Sequence, residues 1–167
     1  MDYIEVNLYG RTLRYFNEHH IEFERRMIKG NWKKIAIGNT GDGYKSIRFN
    51  SNGKQNRIQL HRLVFFVYNS SWNIYDVTKD NCIDHIDGEK LNNNIENLRC
   101  VTQQENHFNQ TKAKGYSWHK QKKKWQAQIK VDDKTIHLGL FENEEDARNA
   151  YLEGKIKYHQ INSKVFE

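Results

Sequence analysis

Residues 83–106 read IDHIDGEKLNNNIENLRCVTQQEN. The stretch Asn81–Ile86 reads as a short strand, an eleven-residue polar loop follows, and Leu98–Val101 is a second strand. Thr102 and Glu105 form a T-x-x-E capping box, so a helix starts at Thr102. The local order is strand, loop, strand, helix. Hydrolysis of a phosphodiester needs a divalent cation to neutralise the phosphate and a base to activate water. Hard cations prefer carboxylate and amide oxygens. Asp84 and His85 are adjacent at a strand end, where alternation points them in different directions, so one can hold metal while the other holds water. Asn106 follows Asp84 by 22 residues in the first turns of the capped helix. If that helix packs on the two strands, its amide oxygen meets Asp84 across a shared ion. Asn97, at the entrance to the second strand, can brace the loop through backbone hydrogen bonds.

Upstream, Leu60–Tyr68 carries apolar residues at 60, 63, 64, 67 and 68, which is helical spacing. Asn69–Asn81 reads as a loop anchored by Trp72, Ile74 and Tyr75. Trp32–Arg57 is sheet-like, broken by turn chemistry at Gly38–Gly43 and at Asn50-Ser51-Asn52-Gly53. The first thirty residues are ambiguous: Tyr3–Tyr15 suits strands and His20–Ile28 a short helix. Downstream, Thr111–Lys114 reads as a linker. Tyr116 with Trp118, then Trp125, Ala127, Ile129 and Val131, then Ile136, Leu138 and Leu140, alternate as three antiparallel strands. Asn143 caps a helix whose Ala147, Ala150, Tyr151 and Ile156 are expected to cover the apolar face. Trp118 and Trp125 are expected to face that core.

The chain has 167 residues and a formal net charge of +6. Residues 111–134 hold eight lysines against Asp132 and Asp133, a basic strip interleaved with Tyr116, Trp118 and Trp125. Such a strip suits nucleic acid, and a merely solvated surface is the plainer alternative. The longest apolar run, Leu63–Tyr68, is too short to span a membrane. The start MDYIEV has no apolar signal segment, so an intracellular location is expected, in a bacterial cytoplasm if the gene is phage-borne. Two cysteines, Cys82 and Cys100, exclude a disulfide scaffold and a Cys₄ zinc ribbon, and read as small buried hydrophobes.

The run 83–106, with the upstream Leu60-His61-Arg62-Leu63-Val64 and the loop Leu91–Leu98, resembles the ββα-metal motif of HNH endonucleases of the phage intron-encoded homing type. The spacing from His85 to Asn97 is 12 residues, and from His85 to Asn106 it is 21, as that family shows. The resemblance implies Asp84 and Asn106 as ligands of one Mg²⁺ or Mn²⁺. It implies His85 as general base, Asn97 as the loop-fixing residue, and products with 5′-phosphate and 3′-hydroxyl ends. Many relatives end the motif with histidine, and His107 stands beside Asn106, so both remain candidates. Asp87 suits either turn chemistry or support of the site. His61 reads as a packing residue, and Arg62 as the better phosphate partner. His19, His20 and His159 read as surface residues.

Residues 114–160 resemble the APETALA/ethylene-response-factor DNA-binding domain, through the pattern Gly115-Tyr116, a basic run, Trp125-x-Ala127-x-Ile129, Leu138-Gly139-x-Phe141 and Glu145-x-Ala147-x-x-Ala150-Tyr151. Ser117, His119, Lys122, Gln128, Lys130 and His137 fall where that family contacts DNA. Lysine and glutamine stand where plant members use arginine, so the recognised sequence is not carried over.

The expected fold is α+β. A small β-rich region (1–56) precedes a ββα-metal nuclease module (57–110), and a three-stranded antiparallel sheet with one helix (111–167) follows. The expected function is metal-dependent cleavage of double-stranded DNA, with targeting by the C-terminal domain and no membrane association. The alternatives are a non-catalytic DNA-binding regulator on an HNH scaffold, and an RNA-directed protein. The sequence shows no dimer interface.

Overall fold

Alternation of apolar and polar side chains builds the N-terminal part of the chain. The computed structural model describes residues 2–18, 20–51, 53–109 and 114–166; His19, Asn52 and the linker residues 110–113 lie outside that set. Strands β1 (Ile4–Leu8), β2 (Arg11–Phe16), β3 (Glu22–Arg26) and β4 (Trp32–Lys34) form one antiparallel sheet in that order. Val6, Leu8, Leu13, Tyr15 and Phe23 are its buried face. The β1–β2 turn is Tyr9-Gly10, with φ of 49° and 69°, the left-handed pair whose twist matches a two-residue hairpin. The helix expected over 20–28 is a strand instead. Tyr15 pairs with Phe23 and Leu13 with Arg25, and cross-strand pairing decides a segment whose own periodicity is weak.

A second sheet consists of β5 (Ile37–Asn39), β6 (Lys45–Ser51) and β7 (Lys54–Gln59), in sequence order. It runs directly into helix α1 (Leu60–Tyr68), which buries Leu60, Leu63, Val64 and Val67 as its spacing required; Phe65 is buried as well, whereas Tyr68 is exposed. Trp72 and Ile74 anchor the following loop in the same core. Tyr75 is exposed but accepts the Tyr9 backbone N–H through its hydroxyl (3.1 Å). Arg62 clamps this loop from α1. Its guanidinium donates to the carbonyls of Asn81 (3.0 Å), Ile74 (2.9 Å) and Asp76 (2.9 Å), and it lies over the Trp72 ring. Arg62 is therefore bonded inward to the loop, not turned toward a phosphate.

Strands β8 (Cys82–His85) and β9 (Leu98–Val101) make a two-stranded sheet, with one 3-10 turn at Ile95–Asn97 between them. Helix α2 (Gln103–Phe108) follows, and its capping box is complete in both directions between Thr102 and Glu105. The chain thus combines several small sheets with few helices.

Two compact units result, one of Met1–Cys100 with Lys164–Glu167 and the other of Val101–Ser163. In the second, α2 is joined to the C-terminal elements. Phe108 stacks on His159 at 3.8 Å between ring centroids, and Gln104 donates to Asp132 at 2.9 Å. Strands β10 (Tyr116–His119), β11 (Lys124–Val131) and β12 (Lys134–Phe141) are antiparallel in sequence order, and α3 (Glu144–Tyr158) packs on them. Asn143 caps α3 as expected, its side chain accepting from the Asp146 N–H (2.8 Å).

Three expectations fail here for stated reasons. A bulge between Ala127 and Gln128 shifts the register of β12, so Leu140 pairs with Gln126 on the face opposite the helix. The helical period puts Ala147, Tyr151 and Gly154 on the sheet and leaves Ile156 80% exposed. Trp118 meets Trp125 edge to face (5.7 Å) but is 48% exposed, because it sits at the sheet end. At Gly115 an added Cβ would lie 2.0 Å from the Tyr151 ring and 2.7 Å from the Gln128 carbonyl oxygen. Gly115→Ala is expected to destabilise this unit by about 1–3 kcal/mol, because the backbone oxygen cannot yield as a side chain can. A urea midpoint equal to wild type would refute that close approach.

Candidate active site

The end of β8 places Asp84 and His85, both buried, at 6% and 4% exposure. Burying two polar side chains side by side is costly unless each finds partners. Asp84 finds Arg99 from β9, whose Nε and second terminal nitrogen approach the same oxygen, Oδ2, at 2.9 Å and 2.8 Å. His85 finds Asn93, whose Oδ1 lies 3.3 Å from Nε2. The Asn93 amide nitrogen donates to the Leu91 carbonyl (3.0 Å), which fixes the amide with its oxygen toward the ring. An amide oxygen only accepts, so Nε2 carries the proton and Nδ1 is the basic nitrogen of His85.

Aromatic rings pack against His85. His61 of α1 meets His85 edge to face at 5.0 Å, and Tyr44 lies 5.1 Å from His61 and 5.9 Å from His85. Lys90 reaches back across the Tyr44 ring and donates to the Asp42 carbonyl (2.8 Å). The His61 Nδ1 is buried without a hydrogen-bond partner among the described residues. Burial pushes the His61 pKa down to about 3, with the neighbouring His85 and Arg62 adding to the effect. Burial also lowers the pKa of His85, against opposing contributions from the Asn93 hydrogen bond and Asp84. Both imidazoles are therefore neutral at neutral pH, and His85 is able to accept a proton.

The loop that carries Asn93 is organised by Asp87 and Asn97. Asn97 accepts from the Asp87 N–H (3.1 Å) and donates to the Asp87 carboxylate (2.9 Å) and the Asn92 carbonyl (2.9 Å). Asp87 also takes the Glu89 N–H (2.8 Å) and the Asn92 amide (2.7 Å), and these bonds hold its pKa below the usual carboxylate range. Asp87 is thus the hub of the turn, and Asn97 ties that hub to β9.

Asn106 lies on α2, half-buried, with its N–H bonded to the Thr102 carbonyl (3.0 Å); His107, beside it, is exposed. The side-chain contacts of α2 described above are made within the second unit. Among the described residues no cluster of three or more His, Cys, Asp or Glu side chains is placed to hold a metal ion. The buried Asp84 carboxylate is a hard oxygen donor of the kind divalent cations accept.

On the second unit, Ser117, Lys122, Gln128, Lys130 and His137 are all exposed, and His119 is half-buried with Nδ1 accepting from the Lys122 N–H (3.4 Å). Gln128 pairs across the strands with His137, and Ser117 with Gln126, so these residues share a face. Lys130 is paired with Asp133 (2.8 Å).

The residues that sequence reasoning missed are Asn93, Arg99 and Tyr44. Asn93 is the middle of three consecutive asparagines, and nothing in the string distinguishes it from its neighbours.

Residues 77–108 match the HNH endonuclease family. The H-N-H endonuclease F-TflI of Escherichia phage T5 is 30% identical over 76 residues, which cover 46% of this chain and 38% of that protein. The SPbeta prophage-derived protein YosQ of Bacillus subtilis, whose name assigns it to the HNH homing endonucleases, is 42% identical over 69 residues, 40% of this chain and 36% of its own length. An uncharacterised HNH endonuclease of Acanthamoeba polyphaga mimivirus is 36% identical over 78 residues, 46% of this chain and 22% of its own. The matched stretch therefore covers well under half the length of each relative. No solved structure matches the chain significantly. Residues 77–108 of the chain are thus similar to HNH endonucleases. Among the described residues, no helix is long and apolar enough to cross a membrane.

Proposed function

We propose that the protein is a metal-dependent DNA endonuclease in which His85 is the general base. The observation that carries this reading is the imidazole of His85, buried next to Asp84 with Nε2 3.3 Å from the Asn93 amide oxygen. Asp84 would offer an oxygen donor to one Mg²⁺ or Mn²⁺, and the family resemblance implies Asn106, or His107 as the alternative, as a further ligand. Such an ion would neutralise charge on the phosphate. His85 Nδ1 takes a proton from water as the water oxygen bonds to phosphorus. The P–O3′ bond breaks, and the departing 3′-oxygen takes up a proton, leaving 5′-phosphate and 3′-hydroxyl ends. Asn97 and Asp87 keep the loop, and through it Asn93, in register with His85.

The sheet face of the second unit, with Ser117, His119, Lys122, Gln128, Lys130 and His137, is proposed as an affinity surface for duplex DNA, in the manner of the APETALA-like domain it resembles. If about five lysines meet phosphates, the affinity falls with salt at a log–log slope of roughly −4 to −5. Deleting residues 111–167 is expected to flatten that slope markedly; an unchanged slope removes the tail from the account.

A second reading rests on the Arg99–Asp84 ion pair. A carboxylate already neutralised by arginine suits a DNA-binding regulator that uses the HNH scaffold without turnover. Supercoiled-plasmid cleavage with Mg²⁺ or Mn²⁺ separates the two. Metal-dependent nicked or linear product that His85→Ala loses supports the nuclease. Binding without product on any plasmid that carries a bound site supports the regulator.

A further inference from the structure

From Gly43 to Tyr75 the chain contains no acidic residue, and within it residues 45–59 hold Lys45, Arg48, Lys54 and Arg57. This is strands β6 and β7, an antiparallel ribbon. Its inner face, Ile47, Phe49 and Ile58, is buried in the core. Its outer face pairs Arg48 directly with Arg57, flanked by the pairs Asn50–Gln55 and Ser46–Gln59. Arg48, Asn50, Gln55 and Arg57 are all exposed. Two like charges directly opposite each other on a sheet are destabilising. Neither arginine is ion-paired among the described residues; Arg57 makes one contact from Nε, to the Ser46 hydroxyl (3.3 Å). A folded chain carrying this uncompensated pair has a surface suited to an anion.

We propose that the outer face of the β6–β7 hairpin is a second duplex-DNA contact surface, built into the same unit as His85. The inference rests on the reading that the protein acts on DNA. β5 pairs only with Lys45–Ile47 of β6, so from Arg48 onward the hairpin is a two-stranded ribbon. Such a ribbon fits the major groove, where arginine reads guanine and asparagine or glutamine reads adenine, and the face offers these groups with no carboxylate among them. Its ends are tied to the candidate site. Tyr44 immediately precedes β6, and α1 begins immediately after β7. Tyr44 and His61 are the two rings that pack on His85. The ribbon and the general base therefore belong to one packed body, so DNA seated on Arg48 and Arg57 is held at a set offset from His85. The C-terminal face, in the other unit, then adds affinity rather than setting the position of the cut.

The test measures affinity of the full chain for a mixed-sequence duplex in EDTA, across a salt series. It compares wild type with Arg48→Gln/Arg57→Gln and with Arg48→Lys/Arg57→Lys. The glutamine pair is expected to bind about tenfold more weakly, with a log–log salt slope shallower by about 2, and the lysine pair to stay near wild type because point charges still meet phosphate. The melting temperature of the glutamine pair is expected to be unchanged or higher, since facing charges have been removed, and this shows that the protein remains folded. Affinity and slope equal to wild type in the glutamine pair overturn the proposal. So does a loss confined to structured RNA, or a wild type with no affinity for duplex. Weakened binding by the glutamine pair, in a protein whose wild type never cuts plasmid, counts against the nuclease reading and leaves the surface standing.

Discussion

His85→Ala is expected to lower metal-dependent plasmid cleavage by about 10²–10⁴-fold, the usual contribution of a positioned proton acceptor. Asp84→Ala is expected to abolish cutting while leaving duplex binding close to wild type. The pH profile identifies the role more sharply than the loss. Burial holds the His85 pKa below its ordinary 6.5, so the base remains neutral into mildly acid solution. Wild-type cleavage should therefore fall as pH drops through a value below 6.5. Asn93→Asp keeps an acceptor on Nε2 and adds a negative charge, which favours the protonated ring and moves the acid limb to higher pH. Asn93→Leu removes the acceptor and with it the tautomer preference, with an expected loss of about 10–100-fold in kcat and little change in KM. An acid limb that Asn93→Asp leaves in place would sink the general-base assignment.

The second large effect concerns stability. His61 has an ordinary pKa of 6.5 when unfolded and about 3 in the folded chain. Between those values the unfolded state binds a proton that the folded state refuses, so stability is full above pH 6.5 and declines as pH falls toward 3. The loss from this one side chain is about 3 kcal/mol by pH 4.5 and at most about 5 kcal/mol at the lower end. His61→Phe keeps a ring against Tyr44 and His85 and cannot be protonated. Urea midpoints at pH 7.5 and 4.5 should therefore draw together for this variant relative to wild type. An equal acid loss in both proteins would show that the stability change comes from other groups.

These two histidines illustrate what the sequence alone determined. The D-H pair, the T-x-x-E cap and the spacing to Asn97 and Asn106 are local patterns, and strands β8 and β9, helix α2 and its capping box fall at or within a residue or two of where they were read. Helix α1 was equally legible, because five apolar residues at helical spacing leave few alternatives over nine positions. The coarse nuclease reading of residues 77–108 rests on the same local pattern.

Tertiary structure decided the rest, because the remaining signals depend on partners distant in the chain. Asn92, Asn93 and Asn94 are chemically identical, yet one bonds the Asp87 carboxylate, one the His85 ring, and one accepts the Glu96 N–H at the start of the 3-10 turn. Their roles follow from what each faces, and no periodicity encodes that. The segment at Glu22–Arg26 is a strand because β2 lies beside it. Leu140 changes face because a bulge at Ala127/Gln128, across the sheet, breaks the alternation. Arg62 and Arg99 look like surface cations in the string, and in the fold both turn inward, to a loop's carbonyls and to Asp84. Arg48 and Arg57 are nine positions apart in sequence; only the register of the hairpin sets them face to face, and a charge count along the chain does not report which charges meet.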